Sequence, residues 1–149
     1  MSADGVEAVT HIQPAIHTAM PLAYWCILVV VLAPYFLSVA ARSQGTRADY
    51  VRDPRAYSES LTGWRKRAHL AHLNAFEASP AILAGVVIAE FAQAPRSHVD
   101  ALAVAFVIAR ALHAALYIAD RPILRGHAWR LGILCVIALF VDAAIYGRH

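Results

Sequence analysis

Four apolar stretches, at residues 21–41, 71–92, 99–119 and 128–146, dominate this chain. A helix rises 1.5 Å per residue, so about 20 residues suffice to cross roughly 30 Å of hydrocarbon, and each stretch reaches that length. In that solvent a spanning backbone must satisfy its own N–H and C=O groups, which segments of this length do as α-helices. The expected fold is therefore an all-α integral membrane bundle of four spans, one domain over residues 1–149. Composition agrees: 60% of the residues are hydrophobic and only 15% charged, too apolar for a soluble domain of 149 residues.

The charged residues sort by side. Arg42, Arg47, Arg52, Arg55, Arg65, Lys66 and Arg67 fall in or beside the first loop, and Arg121, Arg125 and Arg130 in or beside the third. The other side carries only Arg96 and Arg148. By the positive-inside rule the first and third loops are cytoplasmic and both termini lie outside, which in a bacterial inner membrane is the periplasm. These basic residues lack the aromatic interleaving of a nucleic-acid surface, so no nucleic-acid partner is expected. No Lys or Arg precedes the first span, which reads as a retained helix rather than a cleaved signal. Residues 1–20 are weakly patterned and read as frayed or interfacial. Asp53-Pro54 predicts a turn leading into a short surface helix in the first loop. Cys26 and Cys135 fall inside spans and read as small buried apolar groups. Trp25, Trp64 and Trp129 read as interfacial anchors, and Glu90 and Asp142 as interfacial acids. Ala81, Gly85 and Ala89, and likewise Ala101, Ala105 and Ala109, form small-residue stripes that allow close helix approach.

Chemistry concentrates in two clusters. In the second span Asn74 and Glu77 share a helix face with Leu70 and Ala81, and Arg67 stands beside them. In the third, Arg110, His113 and Tyr117 follow i, i+3, i+7 spacing along one stripe. Ionisable groups at membrane depth are costly, so they mark a site or a buried pair. Glu77 is expected to pair with Arg110. The plainer alternative is a structural ion pair, with Asn74 and His113 as interhelical hydrogen-bonding glue. Pro80 is expected to kink the helix by freeing the Phe76 carbonyl. His69 and His72 invite a metal reading, but on a continuous helix His72 faces about 140° from Glu77 and no metal site is expected.

Ala71-His-Leu-Asn74 with Glu77 and Pro80, then Ala109-Arg110 with His113 and Tyr117, resemble the MAPEG family, the membrane-associated proteins of eicosanoid and glutathione metabolism. The pattern is similar to the microsomal glutathione transferase and prostaglandin E synthase branch, in a bacterial-type subgroup. The resemblance implies a homotrimer with glutathione as cosubstrate, bound between subunits at the cytoplasmic side. It implies a glutathione-binding set of Arg67, His72, Asn74, Glu77, Arg110, His113 and Tyr117. It also implies a thiolate-stabilising arginine beyond the tyrosine, with Arg125 the better match and Arg121 the next. Relatives carry arginine where this chain has Leu70, and Arg67 one turn earlier is the substitute. The implied activity is glutathione-dependent transfer or peroxide reduction on lipophilic electrophiles or hydroperoxides, with lipids and a lipophilic small molecule as partners. A non-catalytic member of the same fold, binding a lipid or scaffolding a partner, is the other class.

Overall fold

The second and third apolar stretches continue as helix until a residue of left-handed backbone, Gln93 or Asp120, ends them. The computed structural model describes residues 20–43, 45 and 47–147. They form α1 (Leu22–Arg42), α2 (Arg47–Arg52), α3 (Pro54–Ser60), α4 (Gly63–Phe91), α5 (Arg96–Ile118) and α6 (Pro122–Tyr146), with no strand among the described residues. Helices α1, α4, α5 and α6 are each long and apolar enough to cross a membrane. The protein is an all-α, four-helix integral membrane bundle. The segment 1–20, expected to be frayed or interfacial, lies outside the described residues except at Met20.

Helices α4 and α5 each pack against the other three long helices, whereas α1 and α6 do not meet. The core follows from that arrangement. Ile82 and Val86 of α4, Phe106 of α5 and Leu139 of α6 are buried together with Ala23, Cys26 and Val30 of α1. Cys135 is buried in the same core, so both cysteines sit where the sequence put them. Gly85 permits a close approach of α4 to α6: a Cβ there would stand 3.2 Å from Leu139 Cδ1. Gly85→Leu is expected to destabilise the bundle by about 1–3 kcal/mol through overpacking, read as a lowered thermal midpoint in detergent. An unchanged midpoint would show that α4 and α6 have slack there.

The turns obey helix-capping rules. Gln93 and Asp120, both at φ 57°, end α4 and α5. Ala94 N–H reaches the Ala89 carbonyl (3.0 Å) and Arg121 N–H the Leu116 carbonyl (2.9 Å), the six-to-one closure of a Schellman motif. Asp53 caps α3 by accepting from the N–H groups of Arg55 and Ala56, as the Asp-Pro signal predicts. At the opposite end Asp100 accepts from Ala23 N–H at 2.7 Å and satisfies the start of α1.

Helix α4 begins at Gly63, well before the apolar stretch at 71, because its polar first turns find acceptors. Arg65 Nε donates to the Ala41 carbonyl (2.9 Å) and Arg67 Nε to the Ile118 carbonyl (2.9 Å). Lys66 Nζ donates to the carbonyls of Ser58 and Glu59 at 3.3 Å. These carbonyls terminate α1, α5 and α3, where unsatisfied acceptors and the negative end of the helix dipole favour cations. Arg65 also binds the Tyr57 hydroxyl, fastening α3 to the bundle. Several residues of the positive-inside pattern are thus internal fasteners as well.

Candidate functional site

On α4, Asn74 and Glu77 lie i, i+3 apart, and Asn74 Nδ2 donates to Glu77 Oε2 at 3.3 Å. From α5, Arg110 Nη2 donates to Asn74 Oδ1 at 2.7 Å and to the Asn74 carbonyl at 3.0 Å. Among the described residues no ion pair joins Glu77 to Arg110 directly. The expected pair is replaced by a relay through an amide that can accept from the guanidinium and donate to the carboxylate simultaneously.

The relay opens into a cleft of about 190 Å³ between α4, α5 and α6, lined by Asn74, Glu77, Phe106, Arg110, Trp129 and Gly132. A Cβ on Gly132 would meet Arg110 Cδ at 3.6 Å, ordinary contact, so alanine would narrow the cleft without forcing the bundle apart. Arg110 is also a wall of a small apolar cavity of about 90 Å³ on the α1 side, with Val30, Ala33 and Ala75. Its guanidinium arm therefore divides a polar space from an apolar one.

A second group forms at the end bearing α2 and α3. His113 is only 4% exposed. Its Nδ1 donates to the Arg125 carbonyl at 3.2 Å, which leaves Nε2 as a buried acceptor without a partner among the described residues. The Tyr117 ring meets His113 edge to face at 5.7 Å, and the Arg125 guanidinium lies 4.2 Å above that ring. Arg125 and Trp129 are one turn apart on α6, so this group lies about one turn beyond the Trp129 edge of the cleft without lining it. Arg121, the other candidate, caps α6 with an exposed side chain.

Two expected site residues are engaged elsewhere. His72 Nδ1 donates to the Pro34 carbonyl of α1 at 2.8 Å, and its ring packs on Phe76 at 5.0 Å, outside the cleft. The 140° offset from Glu77 carries it there. Arg67 holds the Ile118 carbonyl and lies 3.8 Å from Asp120, at the end of α5. The rings of His69 and His72 are 5.8 Å apart, and no three His, Cys, Asp or Glu side chains gather among the described residues. Trp129 and Gly132 line the cleft without having been singled out as site residues. Their signal is the stripe Trp129, Gly132, Ile133, Val136, at i, i+3, i+4, i+7.

A four-span bundle with a guanidinium, an amide and a carboxylate linked inside a lateral cleft defines an integral membrane protein with a polar intramembrane pocket. Within that class the chain belongs to the MAPEG family, whose profile matches residues 22–145. No curated protein and no solved structure matches the chain.

Proposed function

We propose that this protein is a membrane-bound glutathione-dependent transferase or peroxidase acting on lipophilic electrophiles or hydroperoxides. The observation that carries this reading is the Arg110–Asn74–Glu77 relay lining the cleft, with Arg125, stacked on Tyr117, one turn beyond the cleft residue Trp129. Glutathione offers one ammonium and two carboxylates. Glu77 suits the ammonium, and Arg125 supplies a planar cation for a carboxylate or thiolate. A thiolate held beside a guanidinium is the nucleophile such chemistry needs, and the surrounding lipid supplies the apolar substrate. A cleft of about 190 Å³ is smaller than the roughly 300–1,000 Å³ of small-molecule sites. A second subunit completing it fits the homotrimer that the family resemblance implies. The basic end bearing α2 and α3 faces the cytoplasm of a bacterial inner membrane on this reading, with both termini periplasmic.

The non-catalytic reading has its own support. Leu70 stands where relatives carry arginine, and Arg67, the substitute, is committed to the Ile118 carbonyl and Asp120. Calorimetric titration of the detergent-solubilised protein with glutathione separates the two. The native chain is expected to bind, and Leu70→Arg, one turn before Asn74, to bind roughly ten- to a hundredfold tighter, the worth of one charge-assisted contact. Heat-silent titrations of both proteins would move the assignment to the lipid-binding or scaffolding class.

A further inference from the structure

At the end of the bundle away from α2 and α3, Glu90 is without a hydrogen-bond or ion-pair partner among the described residues. The other acids of the long helices are partnered: Glu77 accepts from Asn74, Asp100 holds Ala23 N–H and Arg96, and Asp142 meets His98 at 3.4 Å. The Glu90 carboxylate makes no hydrogen bond or ion pair among the described residues, and its Oε1 is enclosed by protein. A carboxylate near the membrane interface, with one oxygen enclosed and no partner among the described residues, is open to a donor from a ligand.

The space that Glu90 borders shows what that partner is. A groove of about 800 Å³ runs between α1 and α4, with Tyr24, Ile27 and Val31 on one wall and Leu83, Val87 and Glu90 on the other. Glu90 is one residue from the end of α4, while Leu83 lies seven residues deeper, roughly 10 Å along the axis. The groove is thus polar at the helix end and apolar toward the middle of the span. This is the polarity of one bilayer leaflet, with a headgroup at the rim and a chain running inward. The charge at the rim is negative, so the headgroup that matches it is a cation with N–H donors.

We propose that the α1–α4 groove is a binding site for an amine-headed phospholipid, its ammonium on the Glu90 carboxylate and an acyl chain along Ile27, Val31, Leu83 and Val87. Its carboxylate rim lies 13 residues, roughly 20 Å, beyond Glu77 along α4, the groove opens between α1 and α4 rather than toward α6, and the site does not depend on the glutathione reading.

The test is native mass spectrometry of the full chain, purified in detergent with equimolar phosphatidylethanolamine, phosphatidylcholine and phosphatidylglycerol. The choline headgroup keeps the charge but lacks N–H donors, and the glycerol headgroup lacks the cation. The native protein is expected to retain the ethanolamine lipid over the choline lipid by roughly tenfold, and Glu90→Gln to reduce that preference to within about twofold. Val87→Trp, which fills the groove and keeps the carboxylate, is expected to lower retention of the ethanolamine lipid. The proposal is overturned if the native protein shows no preference or if the preference survives Glu90→Gln. It is equally overturned if Glu90→Gln changes the oligomer mass and leaves the lipid ratio intact, which would assign the carboxylate to a contact between copies. Displacement by dodecylamine with no retained phospholipid would assign the site to a free lipophilic amine, and also overturns it.

Discussion

Asn74→Leu is expected to lower stability by about 3 kcal/mol, in the range of buried charges stripped of a partner. The substitution removes the oxygen that Arg110 grips at 2.7 Å and the amide that reaches Glu77, while the guanidinium stays between α4 and α5. Leucine fills the volume, so the loss comes from the orphaned charge rather than from a void. Adding Arg110→Leu to that variant is expected to recover most of the stability, because no unpaired guanidinium remains. The two substitutions should therefore be strongly non-additive in a double-mutant cycle. Glutathione binding, on the proposed reading, should be lost in both variants, which separates the relay's part in function from its part in the fold. Thermal unfolding in detergent beside calorimetric titration reads both quantities. Additive losses would mean that Arg110 and Asn74 are held independently, and the relay would then have no role as a unit.

That relay marks where sequence reasoning stopped. Asn74, Glu77 and Arg110 were legible as neighbours, because helical periodicity fixes which side chains share a face and apolar length fixes their depth. The order of contact was not legible. Opposite charges suggest a direct pair, but the amide between them satisfies both groups with shorter reach. Arg67 and His72 show the same limit from another side. Their acceptors are the carbonyls of Ile118 and Pro34, and a main-chain carbonyl leaves no mark in a pattern of side chains. The α4 extension to Gly63 has this origin too, since its basic turn is held by helix C-termini that only the assembled bundle brings near.

By contrast, the surface helix after Asp53 was readable because the signal is local: an N-cap acid followed by proline at the first helical position. Asp142 lies between these cases. Its place near the end of α6 follows from the sequence, but His98, which answers it from α5, is distant in the chain and close only after packing. Local rules thus set the elements and their facing sides. Bonds to backbone atoms of other helices decide which of those faces remain available for a ligand.

The choice between Arg125 and Arg121 rests on such a bond. The Arg125 carbonyl accepts from His113, fixing the first turn of α6 against α5, and its guanidinium is steadied over the Tyr117 ring. A side-chain truncation spares the carbonyl, so Arg125→Ala should cost only about 1 kcal/mol of stability, the worth of one cation–π contact. On the proposed function, its effect on thiol-conjugating rate should be far larger, roughly 10²–10³-fold, the loss seen when one preorganised charge-stabilising donor is removed. Arg121→Ala, with an exposed side chain at the α6 cap, should leave the rate within about threefold, as surface changes do. The pH profile distinguishes a thiolate-stabilising role from mere positioning. On the proposed function, a bound thiol without the guanidinium ionises at higher pH, so the residual activity of Arg125→Ala should rise with alkalinity beyond the range where the native protein has levelled off. Arg125→Lys keeps the charge and loses the planar stack, and should fall between the two in rate with a smaller displacement of the profile. If Arg121→Ala carried the larger loss, the thiolate would sit at the α6 cap instead. If both variants conjugated thiols at the native rate with the native pH profile, neither arginine would act on a thiolate, and the relay would be serving a bound lipid or partner rather than a reaction.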